Sequence, residues 1–429
     1  MTYHSQLIYT YTQLVIKNIK TKRYLMSNEE VLLARQPIYD KKLNIVAYEL
    51  LFRGTNLDHA NVTDGDYATS RVLTNAFENL NIDEVVGEQK AYINFTRNII
   101  LSPPPFDPEK YVVEVLEDIT PDAEVLEALT TLKKKGYTIA LDDFIFHEEL
   151  APLVALAEII KVDLTLLSKD ELESEVEKLK EYNVTLLAEK IETYDEFEHC
   201  KSLGFELFQG YFLAKPQLVT GQKIEPSKKV LLKLLSQLQN SDIDFDEVEN
   251  LILEDPTVSL KLLKLVNSAA YKRARTIDSI QQAITFLGVN KIKSWGTLLA
   301  MVAAGEKPIA LRLLSVIRAR MCQLLCAFFD ENQSEKYFTL GLLSTLDAYF
   351  DQPFETLIAD LPINDEMKAA LIQREGFMGA ILDACIKHER GDWDNIQWDV
   401  LEQKGINKES FELAYIGAIN WASEHKSEL

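Results

Sequence analysis

A chain of 429 residues with 47% hydrophobic side chains is too long for one ordinary domain and can furnish two or three packed cores. Its formal net charge of −22 opposes association with phosphate backbones and anionic membrane surfaces, so direct nucleic-acid binding is not expected. No apolar run reaches the ~20 residues needed to cross a bilayer, and Cys200, Cys322, Cys326 and Cys385 lack metal-finger or redox spacing, which points to reduced core thiols in a cytoplasmic protein.

Residues 1–30 read as a poorly ordered leader, Tyr/Thr-rich and locally basic, with Met26 as an alternative start. Strand-like runs follow at Leu32–Arg35 and Ile45–Phe52. The link between them is too short for a crossover helix, so they should pair as an antiparallel hairpin. Thr63–Leu80 reads as a helix. Strands at Ala91–Phe95, Tyr111–Leu116, Thr138–Leu141, Ile159–Val162, Val184–Ala188 and Glu206–Gly210 then alternate with helices at Pro121–Lys135 (Thr120 as cap), Leu150–Ala157, Lys169–Tyr182 and Tyr194–Ser202. That alternation over about eight strands predicts an α/β barrel spanning 31–218, with polar strand tips gathered on one rim. Beyond Lys215-Pro216 the pattern becomes all-helical, from Ser227–Leu238 through Asp244–Leu253, Val258–Asn267, Ser279–Leu287, Ile292–Ala303 and Ile309–Phe329, giving a second domain over 219–429.

The strand tips carry Glu49, Asn94, Glu114, Asp142, Asp143, Lys161, Asp163 and Glu189. So many like charges on one rim require cations or partial protonation. All-oxygen ligands suit Mg²⁺ or Mn²⁺, and two such ions bridged by a carboxylate could clamp a phosphodiester displacement, with Lys161 positioning water and Glu189 accepting its proton. A plainer reading gives Asp163 to a salt bridge with Lys161.

These residues fall in ordered motifs: Gln36-Pro-Ile, Tyr48-Glu-Leu-Leu-Phe-Arg53, Glu114-Val-Leu-Glu117, Leu141-Asp-Asp-Phe144, Lys161-Val-Asp163, Ala188-Glu-Lys-Ile-Glu-Thr193 and Gln209-Gly-Tyr211. Over about Val31 to Pro216 the chain resembles the EAL-domain cyclic di-GMP phosphodiesterases of bacteria. The resemblance implies a TIM-type (β/α)8 barrel with an antiparallel first strand that opens cyclic di-GMP to the linear dinucleotide with two divalent cations. It implies metal ligands at Glu49, Asn94, Glu114, Asp142 and Asp143, catalytic roles for Lys161 and Glu189, and ligand-facing roles for Gln36, Arg53 and Gln209. Glu117 matches the loop anchor, and Asp163 and Glu192 match supporting acids. Homodimerisation through the barrel is usual in the family. The chain departs from the pattern at Leu50, where the family has Ala, at Ile145–Leu150, where it has a glycine-rich loop, and at Lys190, where it has glycine.

In the helical half, Asp255-Pro256, Leu262–Asn267, Ile277–Ile280, Ala283 and Leu287-Gly288 resemble the HDOD module, a helical relative of HD phosphohydrolases. Gly341-Leu-Leu343 is followed by Ser344-Thr345 rather than a His-Asp pair, so this half should not hydrolyse anything, and His388 reads as a surface residue. The leading expectation is a regulatory protein with a degenerate barrel and a non-catalytic helical output domain, binding nucleotide, a protein partner through the helical half, or both. The alternatives are an active phosphodiesterase and a nucleotide-independent scaffold.

Overall fold

The computed structural model describes residues 31–54, 82–104, 106–215, 226–240, 243–253, 256–267, 277, 279–303, 307–359 and 361–425. The leader, the helix expected at Thr63–Leu80 and the expected cap Asp255 lie outside the described residues.

Eight strands close into one barrel in chain order: β1 (Val31–Tyr39), β2 (Ile45–Gly54), β3 (Lys90–Phe95), β4 (Tyr111–Val115), β5 (Thr138–Leu141), β6 (Ile159–Asp163), β7 (Thr185–Ile191) and β8 (Leu207–Gly210). β1 runs antiparallel to β2 and pairs through its backbone with β8 at Tyr39 alone, while the other pairings are parallel. The fold is therefore a TIM-type barrel with an antiparallel first strand, followed by helices from Pro226 onward.

The period of two along each strand explains how the site is assembled. Ala47, Tyr92, Val112, Ala140, Ile159 and Leu187 form a small apolar cluster with Ile38. Two residues further along the same strands come Glu49, Asn94, Glu114, Asp142, Lys161 and Glu189, placed one layer above that plug. On β1, which runs the other way, the corresponding residue precedes its apolar neighbour, and Gln36 stands two before Ile38. On β8 it is Gln209, two after Leu207.

Helices cover the outer face with local stop and start signals. The Ala123–Lys134 helix is capped by Asp122, whose carboxylate accepts from the Val125 amide, rather than by Thr120. Ser168 and Thr193 form capping boxes with Glu171 and Glu196. Gly210, at φ +155°, is required by contact: a Cβ there would lie 2.1 Å from the Ile191 carbonyl oxygen of β7.

The helical half packs directly on β1 and β2. Leu32, Leu33, Ala34 and Leu50 belong to the same buried cluster as Leu382, Phe411 and Ala414. The edge of β1 left bare by β8 is closed by this half, since the Arg35 amide donates to the Tyr415 hydroxyl (3.2 Å) and the buried side chains of His388 and Glu412 face the Leu33 backbone. His388 is thus an interface residue with no exposed surface, contrary to the surface role read from the sequence. Trp393 Nε1 donates to its Nδ1 at 2.9 Å, which places the imidazole hydrogen on Nε2, 3.5 Å from Glu412. Burial pushes the His388 pKa down to about 3, in keeping with a neutral ring.

Two motif positions of the helical half have structural roles. Asn267 donates to the Leu263 and Ile277 carbonyls and accepts from the Ile277 amide, clamping the two ends of the intervening segment. Gly341 lets the Ser334–Leu343 helix approach the Ile309–Ala327 helix, where a Cβ would meet Ala319 Cα at 2.4 Å. No helix among the described residues is long and apolar enough to cross a membrane.

Candidate active site

The centre of the barrel rim is Lys161, fully buried on β6. Its Nζ lies 2.6 Å from Glu114 Oε1, 2.6 Å from Asp142 Oδ1, 3.0 Å from Glu189 Oε1 and 3.6 Å from Glu49 Oε2. Burial works against the ammonium, but these four carboxylates outweigh it and hold its pKa well above the ordinary value. Burial, with Glu49 and Asp142 adding repulsion, raises Glu114 well above the usual carboxylate range, and burial pushes Glu189 up to about 8. One lysine cannot neutralise this many acids, so without further cations the cluster shares protons.

The remaining groups form a ring around this core. Asn94 donates to Glu49 Oε1 at 3.4 Å, and Gln209 Nε2 donates to Glu49 Oε2 at 2.6 Å and to Gln36 Oε1 at 2.8 Å. Asp163 accepts from the Thr165 amide and hydroxyl and pairs with Lys190, not with Lys161. Lys190 also reaches Asp143 Oδ2 at 3.6 Å. Both Asp143 and Lys190 have left-handed backbones, at φ +41° and +55°. The family's glycine would adopt the conformation of Lys190 without strain.

The segment Ile145–Leu150 is pinned away from the acids. The Phe146 amide donates to the buried Glu175 carboxylate, and the Phe146 ring packs on Tyr182 with centroids 5.7 Å apart. Beside this segment, which lacks the glycines of the resembled loop, Asp142 and Asp143 still lie within reach of Glu189. Glu117 stands exposed beyond β4, where its charge helps to raise the Asp143 pKa. Glu192 is exposed and paired with Lys215 at 2.8 Å. The backbone of Arg53 pairs with Leu32, and its side chain lies outside the described residues.

The residues fit a divalent cation. Oxygens of Asp142, Asp143 and Glu189 lie within 4.8 Å of one another. Asn94 Oδ1 and Glu189 Oε2 are buried without a hydrogen-bond partner among the described residues. An all-oxygen set of this kind suits a hard ion.

Sequence reasoning missed a second cluster, contributed jointly by the barrel and the helical half. Arg318, 1% exposed, donates from Nε and Nη2 to Glu389 (3.0 and 2.6 Å), from Nη1 to Ser344 Oγ (2.9 Å) and from Nη2 to the Tyr211 hydroxyl (2.7 Å). Ser344 is the residue that stands in place of the His of an HD pair. A fixed guanidinium, rather than a metal-binding pair, lies beside it.

The chain is similar in sequence to known proteins along most of its length. The family model described as EAL domain matches residues 66–216 and that described as HDOD domain matches 224–349. "Cyclic di-GMP phosphodiesterase CdgJ" of Vibrio cholerae is 32% identical over 398 residues, covering 91% of this chain and 92% of that protein. "Uncharacterized protein YuxH" of Bacillus subtilis is 31% identical over 402 residues, covering 91% of this chain and 98% of that one. Among solved structures, the manganese/cyclic di-GMP complex of Klebsiella pneumoniae BlrP1 is 22% identical, covering 43% of this chain and 56% of that one with a TM-score of 0.37. With both domains in order and matches running almost end to end through two relatives, the chain belongs to the EAL–HDOD family of cyclic di-GMP signalling proteins.

Proposed function

We propose that the barrel binds cyclic di-GMP with divalent cations and hydrolyses one of its phosphodiester bonds to give the linear dinucleotide, in the cytoplasm. The observation that carries this reading is the convergence of Glu49, Glu114, Asp142 and Glu189 on the single buried ammonium of Lys161, with Asp143 and Asn94 beside them. The name of the Vibrio relative, which spans both domains, supports it. Bound Mg²⁺ or Mn²⁺ would supply the charge that neutralises the phosphodiester and acidifies water. The protein's own groups do the rest. Glu189 takes the proton of the water that attacks phosphorus, Lys161 stabilises the negative charge that develops there, and the bond from phosphorus to the 3′ oxygen breaks, that oxygen gaining a proton. Gln36 and Gln209, tied to each other and to Glu49, orient the ligand. The helical half takes no chemical part and presents a surface to a protein partner.

Purified full-length protein should convert cyclic di-GMP to the linear product in Mn²⁺, as followed by chromatography. Glu49→Ala and Glu189→Ala should each lower turnover by about two to four orders of magnitude. Undiminished turnover in both variants would sink the mechanism.

A receptor reading is favoured by one feature, the Lys190 ammonium held between Asp163 and Asp143. On that reading the lysine takes the place of one cation, leaving a site that binds nucleotide without turning it over. Lys190→Gly should then tighten Mn²⁺ binding at least about tenfold, because a unit charge ~4 Å from a doubly charged ion is worth about 2 kcal/mol even in water. The positive φ makes glycine the natural replacement. Unchanged Mn²⁺ affinity by calorimetric titration would remove Lys190 from the cation's place.

A further inference from the structure

One turn of the helical half, at the end of the Gly376–Glu389 helix, reaches Gln36 at the barrel mouth. Gln36 Nε2 donates to the Arg390 carbonyl at 3.1 Å. Gly391, at φ +73°, lets the turn press on β2, where a Cβ would lie 2.7 Å from Leu51 Cδ1. The turn is rigid, since the Gly391 and Asp392 amides donate to the His388 and Lys387 carbonyls at 3.0 and 2.8 Å. The Arg390 guanidinium lies over the Tyr211 ring, 3.9 Å from its centroid, and the Tyr211 hydroxyl is held by the buried Arg318.

The outcome is a planar cation, fixed on one face by an aromatic ring and exposed on the other. None of its N–H groups bonds to a protein acceptor among the described residues. Glu192 lies close enough for the guanidinium to help lower its pKa, but its carboxylate is committed to Lys215 at 2.8 Å. From the acids outward, Glu49 binds Gln209, Gln209 binds Gln36 and Gln36 binds the Arg390 backbone. Arg390 therefore stands at the outer end of a relay whose inner end would face the phosphodiester.

We propose that Arg390, supplied by the helical half, is a specificity-determining residue of the nucleotide site, its guanidinium forking onto O6 and N7 of a guanine base. This rests on the cyclic di-GMP reading above and extends it: the base end of the site is incomplete without the second domain. Guanine offers two adjacent acceptors that match the guanidinium fork, whereas adenine places an amino donor at one of them. The position beyond Gln36, away from the acids, assigns Arg390 to a base rather than to the phosphate.

The test is calorimetric titration of the full chain in Ca²⁺ with cyclic di-GMP and, separately, with cyclic di-AMP. Arg390→Ala should weaken cyclic di-GMP by roughly ten- to a hundredfold and leave cyclic di-AMP unchanged. Arg390→Lys should lose nearly as much, because an ammonium keeps the charge and loses the fork. Equal affinity of wild type and Arg390→Ala for cyclic di-GMP overturns this proposal alone. So does a loss shared by both nucleotides and restored by lysine, the pattern of a phosphate contact. Wild type that fails to bind cyclic di-GMP overturns the functional reading and this inference together.

Discussion

Replacing Lys161 by methionine should lower turnover by about two to three orders of magnitude and destabilise the cation-free protein by about 3–5 kcal/mol. Methionine has nearly the same length and fills the same space, so the cavity stays packed and the change is one of charge. Lys161 and Glu114 have no exposed surface, and the ammonium is the cation nearest to four carboxylates. Without it, Glu114, Glu49, Asp142 and Glu189 must each take a proton or lie close to a like charge, and both options cost free energy. Added Mn²⁺ should restore more stability to the variant than to wild type, since it would supply the charge the variant lacks. Denaturant unfolding with and without Mn²⁺ gives the stability terms, and chromatography of the product gives turnover. Wild-type turnover in the variant would show that the lysine is structural and that the chemistry runs without it.

The barrel was legible because each strand repeats the same inward couplet, an apolar residue and then a polar one two positions on. Val112 and Glu114 do this on β4, Ile159 and Lys161 on β6, Leu187 and Glu189 on β7. That alternation fixes register, and register fixes which side chains meet. The same rule would have placed Gln36 beside Gln209, once β1 is run backwards. The misreadings lay where partners are far apart in the chain. Asp163 was expected to bridge Lys161, two residues before it on β6, yet its partner is Lys190 of the neighbouring strand, whose left-handed backbone no local pattern signals. His388 had no motif around it, and its burial follows from the bare edge of β1, a feature of closure. Arg318 lies on an apolar helix with no motif around it. Its partners Tyr211 and Glu389 lie 107 and 71 residues away, so only the packing of the two halves could reveal the cluster.

That cluster should be the point at which the helical half most strongly stabilises the assembly. Arg318→Met should cost about 3–5 kcal/mol, because it leaves the Glu389 carboxylate without its guanidinium while the Tyr211 hydroxyl and Ser344 lose their donor. Glu389→Leu should cost a similar amount by stranding the guanidinium. The double variant should recover most of the loss, since a buried ion pair exchanged for apolar side chains of like volume is close to neutral. A double-mutant cycle by chemical denaturation measures the coupling, and losses near 0.5 kcal/mol in both single variants would show that the pair is dispensable. The double variant separates stability from communication. It should fold, yet the Tyr211 hydroxyl would lose its donor from the helical half, and Tyr211 lies two residues after Gln209, which binds Glu49. If nucleotide affinity falls in a double variant of recovered stability, the Arg318 contact sets the geometry of the barrel mouth as well as joining the halves. If affinity is kept, the cluster joins the two halves and nothing more, and a signal between them would run through other contacts, such as those of Arg390 with Gln36 and Tyr211.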